Sequence, residues 1–133
     1  MKMNDRIETN DKPLLFKDLT YKIIGAALEV YKILGYGFLE DVYEKALLKE
    51  FELRGIPAKS NCPIELNYKG DTIPGQLPSI LVDDKVIVEL QCEEELCTGN
   101  EHNMVNFLKA TGIKVGLVIN FGRDGCKPRR FVT

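Results

Sequence analysis

Glu89 is the residue of this sequence best placed to do chemistry. It directly follows the apolar run Val86-Ile87-Val88, whose β-branched composition is typical of a buried strand. A carboxylate in such a position is costly to bury without a partner, which makes Glu89 a candidate functional residue. The alternative is a strand-end glutamate that reaches solvent or pairs with a lysine.

Cysteine and histidine side chains offer a second kind of metal ligand. The cysteines are Cys62, Cys92, Cys97 and Cys126, and the lone histidine is His102. Zinc sites usually have cysteine pairs that are closer together than Cys92 and Cys97, and commonly two such pairs. We therefore expect reduced thiols, with neither a zinc site nor a disulfide.

A short basic cluster near the C-terminus is a candidate for contact with phosphate. It consists of Lys127, Arg129 and Arg130. Three positive charges form a small footprint for a nucleic acid. The favoured interpretation is a solvated edge strand whose charges discourage pairing with other chains.

Length and charge limit the classes of protein that fit the chain. Its 133 residues correspond to one ordinary domain. With 18 Lys and Arg against 20 Asp and Glu, the net charge of −2 excludes a surface that is basic throughout. The polar first residues contain no apolar secretory signal and no apolar run is long enough to span a bilayer, so we expect a cytoplasmic protein without a membrane partner.

The periodicity of apolar residues predicts an α/β domain. Residues 1–14 lack periodicity and are expected to form a loose N-terminal arm, and residues 15–133 to form a single domain. Helices are predicted over 16–34, 39–54 and 100–110, and strands over 62–68, 72–82, 85–91, 115–121 and 129–133. The strand over 72–82 is expected to be broken by Pro74, Gly75 and Pro78. The strand–helix–strand step from Lys85 to Phe121 predicts two parallel neighbouring strands in a central mixed sheet that is flanked by helices on both faces.

Several motifs in one order resemble a known family. The segment Gly37-Phe38-Leu39-Glu40-Asp41-Val42-Tyr43 is similar to the signature of the GxxExxY proteins, a bacterial and archaeal family of the PD-(D/E)XK nuclease-like superfamily. Further likeness lies in Val86-Ile87-Val88-Glu89-Leu90 and in Gly116-Leu117-Val118-Ile119-Asn120-Phe121-Gly122. The resemblance covers about residues 19 to 132. It implies a prokaryotic source and the αβββαβ core of restriction endonucleases.

The resemblance also implies a site in which this sequence differs from the family. The superfamily holds Mg²⁺ or Mn²⁺ with an Asp and a Glu from neighbouring strands, and places a Lys two residues after the Glu. Glu89 matches the glutamate, whereas Ser79 stands at the Asp position and Gln91 at the Lys position. Asn103 and Phe107 stand where the family places a Gln and a Tyr on the following helix. Ser79 and Gln91 are expected to flank Glu89 as a hydrogen-bonded, neutral remnant of that site.

The signature consists of Gly37, Glu40 and Tyr43, and its two side-chain functional groups have simpler explanations than catalysis. Glu40 lies near the start of a predicted helix, where negative charge favours the helix dipole. Tyr43 lies on the apolar face of the same helix and is predicted to be a core residue. The acidic run from Glu93 to Glu95 is predicted to be a solvated loop rather than a relocated metal site.

Two classes of function follow from the resemblance and its departures. The favoured one is a catalytically degenerate nuclease-like protein that acts as a binding or interaction module and needs no cofactor. The alternative is an active or weak nuclease that hydrolyses DNA or RNA with Mg²⁺ or Mn²⁺ held at Glu89. Nucleic acid and a second copy of the chain, in a homo-oligomer, are the expected partners.

The cysteine prediction can be checked by counting thiols and metal. When the protein is unfolded without a reductant, all 4 cysteines should react as free thiols. Elemental analysis should find no zinc. A thiol count near zero, or one zinc per chain, would contradict the prediction.

Overall fold

The computed structural model describes residues 15–93 and 98–133, with the elements in the order ααβββββαββ. They are α1 Lys17–Leu34, α2 Glu40–Leu53, β1 Ala58–Ser60, β2 Pro63–Tyr68, β3 Asp71–Gln76, β4 Ile80–Val82, β5 Val86–Gln91, α3 Thr98–Thr111, β6 Val115–Gly122 and β7 Gly125–Val132. The arm predicted over residues 1–14 lies outside the described residues. Within the described part of the chain, no helix is long and apolar enough to cross a membrane.

Five strands form a mixed sheet in the order β1-β4-β5-β6-β7. β5 and β6 are parallel neighbours, and all the other pairs in this sheet are antiparallel. This confirms the parallel pair that the strand–helix–strand spacing predicts. All eight residues of β6 are buried, as expected for a strand with covered faces on both sides.

Helices cover both faces of this sheet, which confirms the predicted fold class. Successive strand residues point to opposite faces. On one face Val86, Val88 and Leu90 pack in the same cluster as residues of α1 and α2. On the other face Ile87 and Val118 pack with residues of α3. These two faces are called the α1–α2 face and the α3 face below.

The connection between α1 and α2 depends on backbone conformations that suit glycine. Gly35 ends α1 with a φ of 75°, and its N–H donates to the Tyr31 carbonyl at 2.8 Å. Gly37 has a φ of 116°, in a region that side-chain-bearing residues rarely occupy. The chain therefore turns sharply and begins α2 close to the end of α1.

The strand predicted over residues 72–82 is wrong, because the structure divides it between two sheets. β3 pairs with β2 in a separate two-stranded hairpin, whereas β4 lies in the main sheet. The chain leaves the hairpin at Leu77, whose N–H donates to the Cys62 carbonyl at 2.8 Å. Alternation of apolar and polar residues indicates an extended strand, but it does not indicate which other strand that strand will pair with. The three-residue strand β1 is too short to leave any such pattern.

α3 packs so close to β6 that residue 116 has no room for a side chain. A Cβ built at Gly116 would lie 3.0 Å from the Met104 Cγ and in closer collision with the Met104 Sδ. Met104 is fully buried, so its side chain cannot move into solvent. The glycine therefore sets the distance between this helix and the sheet.

We expect Gly116→Ala to lower the free energy of unfolding by roughly 1–3 kcal/mol, the usual cost of overpacking a core. Denaturant unfolding monitored by circular dichroism measures this change. The matched control is Gly75→Ala, because a Cβ there meets only the Ile64 Cγ1 at an ordinary 3.7 Å. Equal stability of the two variants would contradict the close approach.

Candidate functional site

The structure brings Ser79, Glu89 and Gln91 together on the α3 face of the main sheet. Glu89 and Gln91 follow Ile87 at intervals of two residues along β5, so all three share one face. Ile80 of β4 pairs with Val88 of β5. Ser79 directly precedes Ile80, and the same register therefore sets it opposite Glu89. This arrangement agrees with the expectation that Ser79 and Gln91 flank Glu89.

These three side chains contain buried polar atoms without hydrogen-bond partners. Ser79 is 5% exposed and Gln91 is 2% exposed. The Ser79 Oγ, the Glu89 Oε1 and both amide atoms of Gln91 make no hydrogen bond. The expectation of a hydrogen-bonded remnant is therefore wrong. Glu89 and Gln91 lie two positions apart along β5, roughly 7 Å between their Cα atoms, and the Ser79 hydroxyl opposite Glu89 bonds to neither of them.

Glu89 lies in a negative electrostatic environment. Burial, and then the nearby Glu40 carboxylate, raise the pKa of Glu89 to about 7. Burial, with Glu40 and Glu93 as further causes, raises the pKa of the Cys92 thiol to about 11. The pKa of Glu40 itself is raised by burial, then by Glu93 and Glu44. The end of β5 and the start of α2 therefore form one acidic region.

The signature residues position Glu40 in that region. The Tyr43 hydroxyl donates to the Gly35 carbonyl at 2.5 Å and accepts from the Phe38 N–H at 3.4 Å. The Tyr43 ring is fully buried and stacks on Phe121 at 4.3 Å between centroids, so the predicted core position is confirmed. Glu40 lies in the first turn of α2, as the dipole argument requires. Sequence reasoning did not predict that this turn also lies near Glu89. The only hint in the sequence was the spacing of Gly37, Glu40 and Tyr43.

Asn120 is a second residue that sequence reasoning missed. It is 3% exposed and lies next to Gln91 in the β5–β6 register. Its side chain accepts from the Glu93 N–H at 2.9 Å and donates to the Glu93 carbonyl at 2.8 Å. These two bonds fix the chain immediately after β5. A polar residue inside an otherwise apolar run was the available signal.

The two helix positions named by the resemblance have different surroundings. Asn103 is exposed. Phe107 is half-buried and packs against the apolar cluster that contains Ile87 and Val118. Phe107 therefore lies over the same sheet face as Glu89, in its apolar part, and Asn103 faces solvent.

The described residues form no group of side chains of the kind that usually holds a divalent ion. Hard cations take six or more oxygen ligands and usually more than one carboxylate. Among residues 15–93 and 98–133, no three His, Cys, Asp or Glu side chains form a metal-binding group. Glu89 is flanked by two neutral side chains, and Glu40 is the acid that affects its pKa. Cys62, Cys92 and Cys126 are free thiols, and Cys97 lies outside the described residues.

Comparisons with known proteins agree with this fold. The family model of the PD-(D/E)XK nuclease superfamily matches residues 17–131. The chain is similar to the crystal structure of SSO0001, with a TM-score of 0.57 and 10% sequence identity over 69% of this chain and 48% of that one. The chain thus spans about half the length of that protein, and at this identity the likeness shows the fold alone. No curated protein matches the chain.

The raised pKa of Glu89 makes stability depend on pH. The folded state keeps the Glu89 proton up to about pH 7, whereas the unfolded chain releases it near the ordinary value of 4.5. Stability is therefore lost as the pH rises between these values. We expect Glu89→Gln to be more stable than the parent at pH 8, by roughly 1–2 kcal/mol after a discount for partial exposure, and nearly equal at pH 4. Thermal melts at both pH values measure the difference.

The control for this prediction is Glu65→Gln, at an exposed acid in the β2–β3 hairpin. It should shift the melting temperature equally at both pH values. A Glu89→Gln variant that gains no stability at pH 8 would contradict the prediction.

Proposed function

The chain belongs to the PD-(D/E)XK nuclease superfamily, and we propose that it is a catalytically degenerate member that binds nucleic acid without cleaving it. Within the superfamily we assign it to the GxxExxY proteins because of Gly37, Glu40 and Tyr43. One observation carries the proposal. The superfamily is named for a Pro-Asp pair and a later Asp/Glu-X-Lys, and this chain has Pro78-Ser79 and Glu89-Leu90-Gln91 at the paired strands.

The two substitutions remove the groups that hydrolysis of a phosphodiester needs. Ser79 removes a carboxylate ligand, and Gln91 removes the positive charge that would offset developing charge near the phosphate. Loss of one electrostatic stabiliser costs roughly 10²–10³ in rate. Burial and the nearby Glu40 raise the pKa of Glu89 to about 7, which favours its protonated form and weakens it further as a ligand.

The fold supports retention of the binding face. Ser79 and Gln91 are buried near Glu89, and their apolar neighbours Ile87 and Val118 are packed in the core. The strands that shape the face are therefore intact even though its chemistry has changed. Binding through the nucleic-acid backbone depends mainly on positive charge and not on a catalytic metal.

The runner-up is a weak Mg²⁺- or Mn²⁺-dependent nuclease. One observation favours it, which is the position of Glu40 close enough to Glu89 to raise its pKa. Glu40 would then supply the second carboxylate in place of Ser79. Position 91 still has no positively charged side chain, so we rank this nuclease function below binding without cleavage.

We expect the purified protein to leave single- and double-stranded DNA and RNA intact in the presence of Mg²⁺ or Mn²⁺, as followed by gel electrophoresis. It should bind these nucleic acids with a non-specific Kd on the order of 10⁻⁴–10⁻⁶ M. Cleavage that disappears in Glu89→Ala would overturn the proposal in favour of the nuclease. Cleavage that survives Glu89→Ala would point to a contaminant.

The double variant Ser79→Asp with Gln91→Lys tests the cause of the inactivity. It should bind Mn²⁺ at least about tenfold more tightly than the parent in calorimetry, because a second carboxylate joins Glu89. Cleavage should return only in part, since Asn103 and Phe107 remain. The matched control is Ser60→Asp with Gln76→Lys, at positions outside the main-sheet site, and it should leave Mn²⁺ affinity unchanged.

A further inference from the structure

The β2–β3 hairpin has an apolar face that is covered at its base and exposed at its tip. Ile64, Leu66 and Tyr68 share this face because side chains alternate along β2, and Ile73 joins it as the partner of Leu66. Ile64, at the base, packs against the apolar cluster that contains Ile87 and Val118. Leu66 is 39% exposed, Ile73 42% and Tyr68 58%. A two-stranded hairpin is only marginally stable by itself, so its uncovered half favours a partner.

The backbone of β2 is open at its outer edge. Among the strands that the structure describes, β3 is its only neighbour. The Leu77 N–H donates to the Cys62 carbonyl, in line with the register of the hairpin, so these two residues form a hydrogen-bonded pair. Such pairs alternate along an antiparallel ladder, and the backbone groups of Glu65 and Asn67 therefore point away from β3. Both residues are exposed.

The outer edge of β3 is blocked by a proline. Glu65 pairs with Pro74, so the backbone of Pro74 also points outward, on the opposite side of the hairpin. A proline has no N–H to donate, and on an edge strand it prevents pairing with a further strand. Of the two edges of the hairpin, the edge of β2 is therefore the one that can accept another strand.

A second copy of the chain supplies a strand that matches this edge. Two copies of β2 that are related by a two-fold axis pair antiparallel, and the residue on the axis lies opposite its own copy. With Leu66 on the axis, the two Leu66 side chains meet. Ile64 then lies opposite Tyr68, and Glu65 lies opposite Asn67. Apolar residues thus meet on one face of the joined strands, and no like charges meet on the other face.

The neighbouring registers are less favourable. An axis at Glu65 would place the two Glu65 carboxylates opposite each other, which is destabilising. An axis at Asn67 would require an extended backbone at Lys69, whereas Lys69 has a φ of 50° in the turn of the hairpin. An axis between two residues would set apolar side chains opposite polar ones. These constraints select the register that is centred on Leu66.

A cavity at the base of the hairpin extends the match. Its volume is about 300 Å³, and its apolar lining includes Ile64, Leu77, Leu81 and Ile113. In the register centred on Leu66, Tyr68 of the second copy lies opposite Ile64 and is thereby brought next to this cavity. Tyrosine is a frequent anchor of protein interfaces, because its ring buries a large area at a small cost in side-chain entropy.

We propose that the chain forms a two-fold dimer in which two β2 strands pair at their outer edges, with Leu66 at the axis, and join the two hairpins into one sheet. Glu65 and Asn67 exchange backbone hydrogen bonds across the axis, and the apolar tips cover each other. The inference is independent of the proposed function, since the hairpin lies outside the main sheet that carries Glu89. Pairing of two six-residue strands makes a small interface, so the dimer is weak and depends on concentration.

The test measures the mass of the protein by sedimentation equilibrium over a series of concentrations up to about 1 mM, as suits a weak interface. The parent should change from monomer to dimer as the concentration rises. Leu66→Lys and Leu66→Glu each place like charges opposite each other, and each should weaken dimerisation at least about tenfold. A mixture of the two variants should associate again, because opposite charges then meet. Thermal melts establish that each variant is folded.

The matched control is Ile73→Lys, which makes the same change at a residue of similar exposure, on the same hairpin face but one strand farther from the axis. Strands are about 4.8 Å apart, so the two new charges stay roughly 14 Å from each other, and the variant should dimerise nearly as the parent does. Equal losses in Leu66→Lys and Ile73→Lys would overturn the inference, as would a mixture of the two Leu66 variants that stays monomeric. A parent that is monomeric at every concentration would also overturn it and would leave the hairpin face to a different partner.

Discussion

β5 and β6 pair in parallel with Glu89 beside Val118 and Gln91 beside Asn120. A slip of one residue in this pair would turn each side chain to the opposite face. The apolar residues of β5 and β6 prevent that slip, because Val88 and Leu117 pack toward α1 and α2 while Ile87 and Val118 pack toward α3. The core thereby determines where the polar residues of the candidate site must lie.

That constraint carries a cost in stability at the site. A buried polar group without a partner costs about 1–3 kcal/mol, and Ser79, Glu89 and Gln91 each contain such an atom. Asn120, in the same region, avoids the cost through two bonds to the Glu93 backbone. The contrast shows that this part of the sheet can satisfy a polar side chain. The absence of hydrogen-bond partners at Ser79, Glu89 and Gln91 is therefore a property of the Glu89 site and not of the strand ends in general.

The sequence predicts the parts of this arrangement that depend on local pattern. The helix that ends at Gly35 and the apolar strand of β6 follow from periodicity, and the flanking of Glu89 by Ser79 and Gln91 follows from motifs on paired strands. The pairing of β3 with β2 rather than with the main sheet is a tertiary choice that alternation does not encode. The same holds for the position of Glu40 beside Glu89, which requires the packing of α2 against the sheet, including the contact of Tyr43 with Phe121.

The pKa of Glu89 and the neutral side chain at position 91 are connected by electrostatics. A lysine at position 91 would lie on the same face as Glu89 and would lower the pKa of that carboxyl, because an opposite charge favours the ionised form. Gln91 has no charge, so burial and Glu40 act unopposed and raise the pKa to about 7. A carboxylate that is easily protonated competes poorly for a cation, and without a cation its burial remains uncompensated. In the function we propose, Gln91 therefore weakens the site in two ways: it supplies no positive charge, and it leaves Glu89 a poorer ligand.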